Sequence, residues 1–86
     1  MTRPYGDLVE EITQVTFTPV RVHEGYDMSQ VDDLLDRVVA ALGRGEPVGP
    51  VLDGARFDHV RWREGYDLAE VDRFLVHLRE RIDDEQ

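Results

Sequence analysis

One segment of this chain is written twice, forty residues apart. Residues 17–35 read FTPVRVHEGYDMSQVDDLL and residues 57–75 read FDHVRWREGYDLAEVDRFL. A fixed period of this size is typical of structural repeats that bury apolar surface against one another. Two copies are too few for a solenoid, so we expect a compact or self-associating pair. The first module spans 1–43, a linker 44–50, and the second module 51–86.

Composition narrows the class of protein. A chain of 86 residues allows one domain with a modest core, and the absence of cysteine excludes disulfides, thiol catalysis and thiolate metal sites. The net charge of −9 disfavours nucleic acid and weakens adsorption to anionic lipid. No long apolar run and no basic-then-apolar leader is present, which predicts a cytoplasmic protein.

The same helix-start signal occurs in both copies. Asp27 is a good N-cap, Gln30 is placed to answer it in a capping box, and Tyr26 is placed to pack on Val31 as a hydrophobic staple. The second copy repeats the pattern at Tyr66, Asp67, Glu70 and Val71. We therefore predict helices that begin directly after Asp27 and Asp67.

An apolar stripe at helical spacing follows each start. The stripes are Val31, Leu34, Leu35, Val38 and Leu42, and then Val71, Phe74, Leu75, Leu78 and Ile82. This spacing predicts long helices near 28–43 and 68–83, each with one face to bury. Upstream, a shorter helix is predicted over 8–15, and only one turn or a 3₁₀ segment near Leu52.

The segments 17–25 and 57–65 show no helical period. We predict ordered, extended loops there, with Gly25 and Gly65 allowing either a positive φ or a close backbone approach. The fold class expected from these patterns is all-α. Two modules of short helix, extended loop and long helix would pack as a small pseudo-two-fold helical bundle.

The motif residues resemble the DivIVA module, the N-terminal unit of bacterial division-site and polar-growth scaffolds. The resemblance covers roughly 8–42 and 48–82. It implies a long helix that pairs in a parallel dimer, and crossed loops whose aromatic and arginine residues touch the membrane. The matching structural motif residues are Phe17, Gly25, Tyr26, Asp27, Phe57, Gly65, Tyr66 and Asp67.

The loop tips depart from that family. The resemblance implies partner or membrane contact by Arg21, Val22, His23, Arg61, Trp62 and Arg63, but Glu24 and Glu64 stand where the family places arginine. Nothing here matches the family's coiled-coil tail. Trp62 is either a core residue or an exposed anchor, and tryptophan is enriched at interaction hot spots. We expect Trp62 to meet protein and lipid binding to be weak.

Residues typical of catalysis are missing. There is no nucleophile with a base, no glycine-rich phosphate loop, and no zinc-ligand spacing among His23, His59 and His77. We therefore predict no cofactor, no metal site and no enzymatic activity. The resemblance implies an adaptor with protein partners in cell division or polar growth, and the apolar stripes predict self-association as a homodimer. Two alternatives stay open: a peripheral membrane sensor using the Trp62 loop, and a regulatory domain acting beside an enzyme.

Overall fold

The computed structural model describes residues 6–85, with side chains described as far as Asp83. These residues form four helices and one four-stranded antiparallel sheet. In chain order the elements are α1 (Gly6–Gln14), β1 (Pro19–Val20), β2 (Gly25–Tyr26), α2 (Met28–Arg44), α3 (Gly49–Asp53), β3 (His59–Val60), β4 (Gly65–Asp67) and α4 (Leu68–Glu85). The protein is thus mixed α/β.

The all-α fold class predicted from the sequence was wrong. All four strands lie in or directly beside the segments predicted as extended loops, so their extended path was expected but their pairing was not. Each strand is only two or three residues long. Such short strands carry no alternating pattern that distinguishes a sheet from a loop, and their partners lie in the other copy.

The sheet is shared between the two copies, with strand order β1-β4-β2-β3. At its centre β2 pairs with β4, and Tyr26 lies opposite Tyr66. On the flanks β1 pairs with β4 and β3 pairs with β2. The first strand of each copy therefore pairs with the second strand of the other. The copies interlock, and separating them requires breaking the whole sheet.

The predicted helix starts are confirmed. The side chain of Asp27 accepts a hydrogen bond from the backbone N–H of Gln30, and Asp67 Oδ2 accepts one from Glu70 N at 3.0 Å. Helix α2 ends at Arg44 and is capped by Gly45, whose N–H donates to the carbonyl oxygens of Ala41 and Leu42 and whose φ of 69° is left-handed. The long helices match the predicted spans closely, and α1 matches the predicted 8–15 helix.

The core lies between the helices and joins both copies. Its fully buried side chains are Leu8, Val31, Leu34, Val38, Val48, Val71 and Leu78. Phe74 and Leu75 of the second stripe are only partly buried. Helix α3 is a short α-helix with proline in its first turn, where one turn or a 3₁₀ segment was predicted. Within residues 6–85, no helix combines the length and the apolar character needed to cross a membrane.

Candidate functional site at the paired loop tips

Two loops meet at one end of the sheet: residues 21–24, which join β1 to β2, and residues 61–64, which join β3 to β4. We call them the paired tips. The backbone N–H of Trp62 donates to the carbonyl oxygen of Arg21 at 3.1 Å. Arg21 also contacts Glu64, with 3.3 Å between Nη2 and Oε2. The crosswise strand pairing thus unites the six predicted contact residues in one surface.

Trp62 points into solvent, with 75% of its surface exposed. Among residues 6–85 it is also the only residue other than glycine with a positive φ, at 67°. This left-handed conformation costs an L-residue about 1–2 kcal/mol. Val22, at the equivalent position of the first copy, is 58% exposed. Of the two interpretations of Trp62, this exposure excludes packing in its own core and leaves the exposed anchor as the remaining interpretation.

Charged side chains surround this apolar pair. The guanidinium carbon of Arg61 lies 5.7 Å from the centroid of the Trp62 ring, which is within cation–π range. Glu24 Oε1 lies 3.4 Å from Nδ1 of His59, and Glu64 pairs with Arg21. Both tip glutamates therefore have a basic neighbour. The tips carry three arginines and two glutamates, so they stand out against a chain of net charge −9.

The remaining tip residues differ in their attachments. Arg63 reaches back to the cap of α2, with Nη2 at 3.1 Å from Asp27 Oδ2. The N–H of Gln30 lowers the pKa of Asp27, and Arg63 lowers it further. His23, the residue equivalent to Arg63 in the first copy, is exposed. The second copy therefore anchors its tip to a helix start of the first copy through Arg63.

Gly25 and Gly65 support the tips from the centre of the sheet, where both are buried. A Cβ atom at Gly25 would lie 2.8 Å from the carbonyl oxygen of Tyr66, and one at Gly65 would lie 2.9 Å from that of Tyr26. Real Cβ atoms do not approach so closely. Neither glycine has a positive φ. Close backbone approach, the second of the two predicted reasons, is what these positions require.

The two tyrosines cross between copies. The Tyr26 ring centroid lies 5.2 Å from that of Phe57, and the Tyr66 centroid lies 5.2 Å from that of Phe17. The Tyr26 hydroxyl donates to Asp72 at 2.6 Å, and the Tyr66 hydroxyl donates to Asp32 at 2.8 Å. The predicted staples on Val31 and Val71 placed both tyrosines against their own helices. In the structure both rings also contact the other copy, and both tyrosines pack against the core cluster that contains Val31 and Val71.

These hydroxyl contacts alter the acidity of the tyrosines. The hydrogen bond to Asp72, together with burial, raises the pKa of Tyr26 to about 12. Burial, together with the hydrogen bond to Asp32, raises the pKa of Tyr66 to about 12. Asp32 is exposed on α2, and sequence reasoning missed its role as the partner of Tyr66. The repeat was the available signal, since Asp32 and Asp72 occupy equivalent positions.

The predicted capping boxes are also exchanged. Instead of returning to its own N-cap, Glu70 accepts hydrogen bonds from the backbone N–H and the hydroxyl of Thr18, at 2.6 and 2.8 Å. Gln30 Oε1 accepts from the N–H of Asp58 at 2.6 Å, and Gln30 Nε2 donates to Asp58 Oδ2 at 3.0 Å. The two bonds from Thr18 lower the pKa of Glu70. Sequence reasoning missed both Thr18 and Asp58.

The tips present Trp62, Val22 and three arginine side chains to solvent. Among the described residues, no group of three or more His, Asp and Glu is placed to hold a metal ion. An open groove of about 520 Å³ lies beside Phe17 and Phe74, away from the tips. Comparisons of the chain with models of protein families, with curated proteins and with solved structures find no match.

Proposed function

We propose that this protein is a non-enzymatic adaptor whose paired tips dock onto a protein partner. The observation that carries the proposal is Trp62, 75% exposed and held at a positive φ. Tryptophan and arginine are among the residues enriched at interaction hot spots. The resemblance to the DivIVA module supports a role in cell division or polar growth. It also supports a cytoplasmic location, peripheral at the division site or the cell pole.

The fixed conformation of the tips lowers the entropy cost of binding a partner. The strain at Trp62 persists because the interlocked strands and the bond to the Arg21 carbonyl hold the loop on both sides. A side chain already in its binding conformation loses less conformational entropy when a partner docks. Arg61 lies over the ring and adds a cation beside the apolar surface. The complementary partner surface is an apolar socket with acidic groups at its rim.

Affinity capture from the native cytoplasm tests this proposal. The three baits are the wild-type chain, Trp62→Ala, and Val76→Ala as a matched control. Val76 is a suitable control because it is also exposed, at 57%, but lies on α4 away from the tips. We expect one set of proteins to be retained by the wild type and by Val76→Ala and lost from Trp62→Ala. Equal retention by all three baits would rule out the tips as the docking surface.

A peripheral membrane sensor is the second candidate, and the exposed pair of Val22 and Trp62 beside Arg61 favours it. Basic residues near an anionic surface contribute about 1 kcal/mol each, so Arg61 and Arg63 together supply about 2 kcal/mol. Stable anchoring generally takes two lipid-binding signals. We expect lipid binding to be weak for this reason.

Tryptophan fluorescence separates the two candidates, since Trp62 is the only tryptophan in the chain. The chain is titrated with vesicles of increasing anionic lipid content at low salt. A blue shift that disappears in Arg61→Ala/Arg63→Ala would favour the membrane sensor over the protein adaptor. An unchanged spectrum, together with capture that depends on Trp62, is the expected result.

Self-association as a homodimer stays a prediction. It was motivated by apolar stripes in need of a partner, and the first stripe is now covered within the chain, with Val31, Leu34 and Val38 fully buried. A dimer would therefore have to use a surface other than the first stripe, such as the tips or the partly buried Phe74 and Leu75 of the second stripe. Light scattering at roughly 100 μM, well above micromolar affinities, measures the mass directly. The same measurement on Trp62→Ala shows whether the tips hold the dimer together.

A further inference from the structure

The two copies meet through two equivalent polar contacts that use different residue pairs. In the first contact, the N–H and hydroxyl of Thr18 donate to the carboxylate of Glu70. The second contact uses the residues at the equivalent positions of the repeat. There Gln30 accepts a hydrogen bond from the N–H of Asp58 and donates one to its carboxylate. Each carboxylate therefore faces a donor from the other copy. The charged member lies in the second copy both times.

Pairing of like copies would change these contacts. Asp58 is equivalent to Thr18 in the repeat, and Glu70 is equivalent to Gln30. If two second copies paired, Asp58 would take the place of Thr18, and its carboxylate would face that of Glu70 at both contacts. Neither side chain offers a proton, so one carboxylate would face another. Two first copies would bring Thr18 to Gln30, a neutral pair that can form hydrogen bonds. The repulsion therefore arises only when a second copy meets a second copy.

From this difference we propose that four residues determine which copies can pair: Thr18, Gln30, Asp58 and Glu70. They allow a first copy to pair with a second copy, and they disfavour the pairing of two second copies. These residues lie beside the shared sheet, which is the interface between the two copies. The partner that they select for each copy is the other, unlike copy of the repeat. Like-charge juxtaposition is a general means of excluding wrong partners. This selectivity is separate from docking at the tips, which lie at residues 21–24 and 61–64.

Single substitutions recreate the rejected contacts inside the full chain. Thr18→Asp puts a second carboxylate against Glu70, which is one contact of a second-copy pair. Gln30→Glu puts a second carboxylate against Asp58, which is the other contact. Thr18→Asn is the matched control because asparagine has the same size as aspartate and keeps a donor. We expect the unfolding equilibrium constant of Thr18→Asp to exceed that of Thr18→Asn about tenfold.

Adding Glu70→Gln supplies the decisive measurement. In the wild-type background it removes a charge-assisted acceptor from Thr18, so the unfolding constant should rise. In the Thr18→Asp background it builds the aspartate–glutamine pair already present at the other contact, so the constant should fall. This reversal of sign is expected from a pairing rule. If Glu70→Gln changed stability in the same direction in both backgrounds, the proposal would be overturned.

Three further measurements test whether the effects arise from repulsion between carboxylates. The excess effect of Thr18→Asp over Thr18→Asn should shrink as salt is added, because Thr18 is exposed and the repulsion is screened. Gln30→Glu should destabilise the chain and Asp58→Thr should rescue it. If Thr18→Asp does not fold at all, Thr18→Asp/Glu70→Gln should still unfold cooperatively. Failure of both rescues would contradict the proposal, whatever happens to binding at the tips.

Discussion

Replacing Gly25 with alanine should strongly destabilise the fold. The added Cβ would lie 2.8 Å from the carbonyl oxygen of Tyr66 and 2.8 Å from Cγ2 of Val20. Val20 is a side chain and can shift, but the Tyr66 carbonyl belongs to β4, which is bonded on both sides in the sheet. The central strands therefore have to separate locally. Overpacking of this kind costs about 1–3 kcal/mol, and the backbone obstacle places Gly25→Ala at the upper end.

The magnitude is large for a domain of this size. About 3 kcal/mol is a substantial part of the roughly 5–15 kcal/mol that typical domains possess, and it corresponds to a fall in Tm of roughly 12–24 °C. Urea unfolding followed by circular dichroism measures the free energy, and a thermal scan measures Tm. Gly65→Ala should behave alike, since its Cβ would lie 2.9 Å from the carbonyl oxygen of Tyr26.

Gly43→Ala is the matched control. Gly43 lies in α2, and a Cβ there meets nothing within 4 Å. Removing a glycine from a helix should therefore raise stability by about 0.5–1 kcal/mol. A Gly25→Ala chain as stable as the wild type would refute the close-approach argument. So would a Gly43→Ala chain that loses as much stability as Gly25→Ala.

Three further predictions concern single side chains. Asp67→Ala should lower the free energy of unfolding by about 0.5–2 kcal/mol through loss of the α4 cap, and an unchanged urea midpoint would count against the cap. The lowered pKa of Glu70 adds stability that is fully present above its ordinary value of 4.5 and is lost as the pH falls through the lower folded value. The free energy of unfolding of Glu70→Gln should therefore fall less steeply than that of the wild type as the pH is lowered through the acid range. The raised pKa of Tyr26, about 12, adds stability that is present below pH 10 and is lost between pH 10 and about 12. In Asp72→Asn, ultraviolet titration should show Tyr26 ionising at a lower pH than in the wild type. A titration curve identical to that of the wild type would contradict the hydrogen bond to Asp72.

Features that depend on near neighbours in the chain could be predicted from the residues alone. The caps at Asp27 and Asp67, and the apolar stripes that follow them, act over one to four turns of helix, so their residues suffice to place α2 and α4. The repeat also identified the tip residues as a set. These predictions needed no knowledge of what lies across the interface.

The partner that each polar and aromatic residue meets depends instead on long-range packing. For Glu70 the local partner, its own N-cap, and the distant one, Thr18 at a separation of 52 residues, offer the same kind of donor. For Tyr26 the ring contact with Phe57 joins two apolar groups 31 positions apart, and nothing in the residues near Tyr26 singles out Phe57. Close approach at Gly25 and Gly65 lets the strands of the two copies pair crosswise, and this pairing brings the distant partners within reach. Trp62 is exposed for the same reason, because the crosswise strands hold both tips at the end of the sheet, outside the core.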